Sequence, residues 1–144
     1  MKKALVVGVG PLNGLGGQLC KKIAKNNFEV YVAGRTEDSI NQVVKSIHDD
    51  GNKAKPIVVD ITNENQTKRM IKEVGIGLDF AVYNVGNNTP GKIIDIDADY
   101  FKQSWKTGCF GAFLFSKEVI KVFLKENTPG TLLFTGASAS LRGK

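Results

Sequence analysis

An apolar run at residues 4–9 gives way at once to Val-Gly-Pro-Leu-Asn-Gly-Leu-Gly-Gly at residues 9–17, and beyond it Leu15, Leu19 and Ile23 fall at helical spacing. The order is strand, glycine turn, helix start. Gly10, Gly14 and Gly16 form G-x-x-x-G-x-G across that turn. Glycine suits it for two reasons. It reaches backbone dihedrals closed to other residues, and a missing Cβ lets N–H groups approach a pyrophosphate at the positive end of the helix. The same residues would also make a glycine-rich turn that binds nothing; the position between strand and helix is what favours phosphate.

The rest of the chain repeats the alternation. Residues 28–33 form a second apolar run that ends at Gly34-Arg35-Thr36. Thr36 can cap a helix with Glu37 and Asp38 in its first turn and Ile40, Val43, Val44 and Ile47 on one face. Asp49-Asp50-Gly51-Asn52 stops it. Residues 55–59 read as a third strand leaving at Asp60, Thr62 precedes a helix carrying Met70, Ile71 and Val74, and residues 78–83 read as a fourth strand ending at Asn84-Val85-Gly86. A polar loop at 87–95 contains Pro90-Gly91. From Asp97 a long helical stretch runs to about Lys125 with Phe101, Trp105, Phe110, Phe113, Leu114 and Val122 as its apolar stripe. Gly108 and Gly111 interrupt it, and since glycine within a helix costs up to ~1 kcal/mol against alanine, both point to close approach by a neighbouring backbone or a ligand. Residues 131–135 read as a fifth strand.

Strands separated by helices, with runs apolar on both faces, predict an α/β fold with a parallel sheet covered on each side. Right-handed crossovers make this a Rossmann-like doubly wound sheet of order 3-2-1-4-5, with the glycine turn at the switch point where a ligand crevice opens. The fifth run is apolar enough for the middle of a sheet, yet Lys144 follows nine residues after it. Residues 1–144 are therefore expected to form a dinucleotide-binding domain whose second half is missing.

Charge and cysteine content remove other classes. The net charge of +6 is carried by dispersed lysines, Lys21, Lys22 and Lys25, then Lys68 and Lys72, then Lys117, Lys121 and Lys125, which read as solvated helix faces and not as a nucleic-acid surface. Cys20 and Cys109 have neither the spacing nor the histidine company of a metal site or a disulfide framework, which fits a reducing cytoplasm. His48, beside Asp49 and Asp50, reads as a surface residue. Met1-Lys2-Lys3 and the run after it mimic a signal peptide, but Gly8, Gly10, Pro11 and Asn13 break the run too early, and no segment reads as membrane-spanning.

With the glycine turn, Asp60 and Asn84-Val85-Gly86 in this order, the chain resembles, over its whole length, the N-terminal part of a short-chain dehydrogenase/reductase. It departs in detail: the threonine that precedes the family's glycine motif is Val9 here, and the Asn-Asn-Ala-Gly motif is Tyr83-Asn84-Val85-Gly86. The resemblance implies that the backbone of Leu12, Asn13, Gly14 and Leu15 and the helix start at Gly16 hold a pyrophosphate. It also implies that Asp60 and Ile61 flank an adenine and that Asn84, Val85 and Gly86 pass beside ribose and nicotinamide. Without the family, Asp60 is a turn residue and Asn84 a strand terminator. At the end of the second strand, where an acid would select NAD, stand Arg35 and Thr36. An arginine there can pair with the 2′-phosphate of NADP, so NADP(H) is favoured and NAD(H) kept as the alternative; otherwise Arg35 is solvated and merely begins the helix.

The resemblance also implies a tyrosine acid/base with a lysine four residues on, a serine orienting the substrate oxygen and an asparagine supporting a water relay. No Tyr-x-x-x-Lys occurs in the chain. The asparagine position holds Gly108, and the serine position holds Ala137 with Ser138 next. Ser138 is the catalytic candidate provided the strand has already ended, because a slip of one residue within a strand turns a side chain to the opposite face; the alternative is a small polar residue in a turn. The function expected is hydride transfer between NADP(H) and a small carbonyl or alcohol, with this chain as the cofactor-binding part. The alternative is a non-catalytic dinucleotide-binding module. No nucleic acid, membrane or metal partner is expected, and homo-oligomerisation of a full-length protein is left open. Residues 1–144 alone are expected to reduce no ketone, and measurable NADPH consumption with a panel of small ketones would contradict this.

Overall fold

The computed structural model describes residues 1–86, 89 and 91–142. Five strands, β1 (Lys2–Val7), β2 (Phe28–Gly34), β3 (Ala54–Val58), β4 (Leu78–Tyr83) and β5 (Thr131–Phe134), form one parallel sheet of order β3-β2-β1-β4-β5. Between them run α1 (Leu15–Ala24), α2 (Glu37–Asp49), α3 (Glu64–Val74), α4 (Ala98–Trp105) and α5 (Gly111–Glu126). The register aligns the strand ends: Val7 stands beside Ala33 on one side and Tyr83 on the other, and Gly34 stands beside Val58. Four chain reversals therefore leave the sheet along one rim.

Alternate residues of each strand enter opposite layers, as a sheet buried on both faces requires. Leu5, Val7, Tyr31, Ala33, Ala81 and Tyr83 pack with Met70, Ile71 and Val74 of α3 and Phe115 and Val119 of α5. Ala4, Val6, Val30, Val32 and Val82 pack with Cys20 and Ile23 of α1 and Ile40, Val43, Val44 and Ile47 of α2. The expected face of α2 is thus the buried one. His48 is exposed, as expected, with Nε2 2.9 Å from the Ala54 carbonyl oxygen.

Several expected boundaries shift. The first strand runs from Lys2 to Val7 and not to residue 9, because Gly8 has a φ of +86° and breaks the extended backbone. The third strand is one residue earlier than expected, and its following helix is capped by Asn63, whose side chain accepts from the Gln66 N–H, and not by Thr62. The fifth strand pairs with β4 alone among the described residues, at the end of the expected order 3-2-1-4-5. Leu133 and Phe134 are 48% and 53% exposed there.

The long helix is three pieces: α4, a π-helical turn at Lys106–Phe110, and α5. Its two glycines behave differently. A Cβ on Gly108 would meet nothing within 4 Å, so no neighbouring backbone among the described residues approaches closely there. A Cβ on Gly111 would lie 2.5 Å from the Tyr83 hydroxyl and 3.4 Å from both Cγ2 and the carbonyl oxygen of Ile61, so α5 starts in direct contact with β4 and the turn after β3. The buried Tyr83 hydroxyl donates to the Thr107 carbonyl and fixes the turn just before that start. Gly111→Ala should cost ~1–3 kcal/mol in urea unfolding by overpacking this seam. In a Tyr83→Phe background the extra cost should shrink, because the atom in the way is gone; an unchanged cost in that double-mutant cycle would refute the seam as the cause.

Candidate functional site

Along the rim where the strands end lies a cleft of about 580 Å³. Its floor is Val7, Gly8, Val9 and Gly10 after β1, Gly34, Arg35 and Thr36 after β2, Val59, Asp60, Ile61 and Thr62 after β3, and Asn84, Val85 and Gly86 after β4. Gln103, Lys106 and Thr107, from α4 and the π turn, complete the wall. Open parallel sheets bind ligands at such a crevice, outside the carboxyl ends of strands where the chain order reverses.

The floor is held by contact that only small groups permit. A Cβ on Gly8 would overlap the Asn84 carbonyl and lie 2.7 Å from the Val85 nitrogen, and the φ of +86° independently favours glycine. Asn84 then ties the strand ends together. Its N–H donates to the Val7 carbonyl at 2.9 Å, its Nδ2 donates to the Gly8 carbonyl at 3.1 Å, and its Oδ1 accepts from the Thr135 hydroxyl at 2.8 Å. A Cβ on Gly16 would sit 3.0 Å from the Gly8 oxygen and 3.1 Å from Asn84 Nδ2, so α1 begins directly against this junction.

At the head of α1, Gly14 is the N-cap; its N–H donates to the Pro11 carbonyl at 2.8 Å, and no side chain caps the helix. The first turn holds no acidic residue. The positive helix end is therefore left without an internal anion, as a phosphate-binding turn requires. A Cβ on Gly10 would meet nothing within 4 Å, so the backbone there is open on the cleft side.

Of the residues singled out from sequence, Gly10, Arg35, Thr36, Asp60, Ile61, Asn84, Val85 and Gly86 come together in the cleft. Leu12, Asn13, Gly14, Leu15 and Gly16 form the adjoining turn and helix start and do not line the cleft itself. Within that turn the Leu12 carbonyl accepts from Gln18 Nε2 at 3.0 Å, while the Leu15 side chain is exposed. Ser138 opens an exposed 3-10 turn, Ser138–Ser140, beyond the end of β5 and outside the cleft lining. The strand ends at Phe134, so strand alternation does not govern which way Ser138 faces.

Sequence reading passed over Gly8, although a glycine at the very end of an apolar run was visible. Gln103, Lys106 and Thr107 gave no signal, since only the fold brings their helix over the rim.

Among the described residues three charged side chains line the cleft: Arg35, Asp60 and Lys106. Asp60 Oδ1 accepts from the Thr62 hydroxyl at 2.7 Å and the Thr62 N–H at 2.9 Å. These two bonds hold its carboxyl below the usual carboxylate range, with Lys106 and Arg35 adding attraction. Arg35 is exposed and forms no ion pair among the described residues. Cys20 is no nucleophile, because burial pushes its thiol up to about 12. Among the described residues no group of three or more His, Cys, Asp or Glu could hold a metal, and no helix is long and apolar enough to cross a membrane.

A family model described as short chain dehydrogenase matches residues 2–144. The chain belongs to that family. Members of the short-chain dehydrogenase family bind NAD(P)(H) and act on small molecules. The chain is 31% identical over 137 residues to a glucose 1-dehydrogenase from Gluconobacter oxydans, covering 92% of this chain and 50% of that enzyme. It is 24% identical over 163 residues to a 3-ketodihydrosphingosine reductase from Dictyostelium discoideum, covering 99% of this chain and 49% of that protein. Among solved structures, a short-chain type dehydrogenase/reductase from Mycobacterium marinum superposes with a TM-score of 0.92 at 26% identity, over 99% of this chain and 58% of that one. This family member thus spans about half the length of those two curated relatives.

The lowered Asp60 carboxyl carries a pH dependence. A carboxyl depressed in the folded state contributes stability above its unfolded value, and that contribution is lost as pH falls through the folded value. Wild-type protein should therefore lose stability more steeply than Asp60→Ala between about pH 5 and about pH 2, read from urea midpoints. Parallel profiles would show that the Thr62 bonds do not favour the ionised form.

Proposed function

We propose that the cleft binds NADP(H) and that the chain is the cofactor-binding part of an oxidoreductase transferring hydride between that cofactor and a small carbonyl or alcohol. The observation that carries the reading is Arg35, which lines the cleft at the end of β2 without an ion pair among the described residues, where an acid would be needed to exclude a 2′-phosphate. The uncapped head of α1 and the open backbone at Gly10 fit the pyrophosphate.

In this reading the N–H groups of Leu12, Asn13, Leu15 and Gly16 face the pyrophosphate, and Gly14, whose N–H is held by the Pro11 carbonyl, shapes the turn. Arg35 and Thr36 hold the 2′-phosphate, Asp60 and Ile61 flank the adenine, and Asn84, Val85 and Gly86 support the ribose and nicotinamide. When bound, the nicotinamide supplies or accepts the hydride. The chain's part is to orient the reacting ring at the β4 end, with Asn84 keeping that end rigid through the Gly8 and Thr135 bonds. Ser138, exposed after β5 and outside the cleft lining, is proposed to orient the substrate oxygen only from its place in the sequence, next to the family's serine position. A cytoplasmic setting accords with Cys20 and Cys109, which are both free thiols.

A second reading, a dinucleotide-binding module without catalysis, is favoured by one feature: Gly108 and Ala137 offer no polar side chain at the two positions where the family resemblance calls for one. Both readings require nucleotide binding, and turnover separates them. In fluorescence titrations NADPH should bind more tightly than NADH, and Arg35→Ala should weaken NADPH by about tenfold, or ~1.4 kcal/mol, while leaving NADH nearly unchanged. Equal wild-type affinities, or an Arg35→Ala protein that binds NADPH normally, would overturn the NADP(H) assignment.

A further inference from the structure

We propose that Lys106 is a second specificity-determining residue for the nucleotide, a cation that meets the 2′-phosphate from the helical wall of the cleft that Arg35 also lines. The inference rests on the NADP(H) reading above and extends it to a residue on a different element, 71 positions along the chain.

Lys106 opens the π-helical turn between α4 and α5. A π turn accommodates an additional residue within a helix and re-aims the side chains around it, and such turns gather at functional sites. This one is pinned on both sides. The Tyr83 hydroxyl holds the Thr107 carbonyl, and Gly111 seats the start of α5 against Ile61. The turn is thereby held beside the segment Asp60-Ile61, with Lys106 lining the cleft next to it. Lys106 is half-buried, and its ammonium makes no hydrogen bond or ion pair among the described residues.

The one acid lining the cleft does not answer this cation. Asp60 Oδ1 is taken up by two bonds from Thr62, and neither Lys106 nor Arg35 is near enough to form an ion pair with it. Both cations line the same cleft as Asp60, Arg35 after β2 and Lys106 in the turn seated against Ile61, the residue next to Asp60. Arg35 and Asp60 follow β2 and β3, whereas α1 begins after β1. Two cations facing one acid that is already engaged leave an uncompensated positive charge there. A dianionic phosphate on the adenosine ribose answers that charge, and a ribose hydroxyl does not.

The test uses calorimetric titration of the chain with adenosine 2′,5′-bisphosphate, 5′-AMP, NADPH and NADH. Lys106→Ala should weaken adenosine 2′,5′-bisphosphate and NADPH by about tenfold and leave 5′-AMP and NADH within about twofold. Lys106→Met, which keeps the apolar stem over the cleft wall, should give the same selective loss, and Lys106→Arg should restore most of the affinity; thermal unfolding of each variant controls for folding. Equal losses for all four ligands would assign Lys106 to the 5′ side, and no loss would make it a solvated lysine; either result overturns the proposal. If wild type prefers NADPH and Arg35→Ala abolishes that preference while Lys106→Ala does not, only the Lys106 assignment fails. If wild type shows no preference for NADPH, both readings fail.

Discussion

The contact between Gly8 and Asn84 is the constraint on which the cleft depends. The absence of a side chain at residue 8 lets the ends of β1 and β4 meet backbone to backbone, and the Asn84 carboxamide then spans from the Gly8 carbonyl to the Thr135 hydroxyl. Two glycines at the start of α1 are small for packing reasons as well. Gly16 is small because α1 must begin beside it, and Gly17 because the Leu12 carbonyl passes 2.6 Å from where its Cβ would be. Asn84 is part-buried, and a polar group shielded from water is costly when unsatisfied, so a carboxamide with both its ends bonded makes the arrangement specific as well as stable.

The architecture was legible because burial on two faces leaves a direct trace in composition. Runs such as Val30 to Ala33 are apolar at every position, and helices such as α2 place Ile40, Val43, Val44 and Ile47 at one spacing. Those patterns report how deeply a residue is buried and do not by themselves name its neighbours; the order 3-2-1-4-5 came from right-handed crossovers and is the one observed. The long helix shows the same limit. Its apolar stripe is continuous through the π turn, so periodicity could not separate α4 from α5; only the contact of Gly111 with Tyr83 and Ile61 explains why the second segment starts where it does.

The site was legible on its floor and hidden on its wall. Gly10, Arg35, Asp60 and Asn84 each follow a strand, and a parallel sheet carries the ends of its strands to one rim, so sequence order alone assembled them. Gln103, Lys106 and Thr107 belong to a helix, and their presence in the cleft depends on how that helix is seated on β4 and on the turn after β3. Leu12 to Gly16 fall between the two cases: their position beside the cleft follows from the strand-turn-helix order, while the direction of each N–H is a matter of backbone geometry that side-chain identity only permits.

The bond from Asn84 to Gly8 joins residues 76 apart in sequence. Loop closure over such a distance is an entropic cost that must be met before the cleft exists at all, whereas the β1–β2 pairing needs a loop only about a third as long. The binding surface is therefore a property of the assembled sheet and of no segment within it. A ligand that recognises this surface has nothing to hold in the unfolded chain, so its binding free energy adds in full to the free energy of folding.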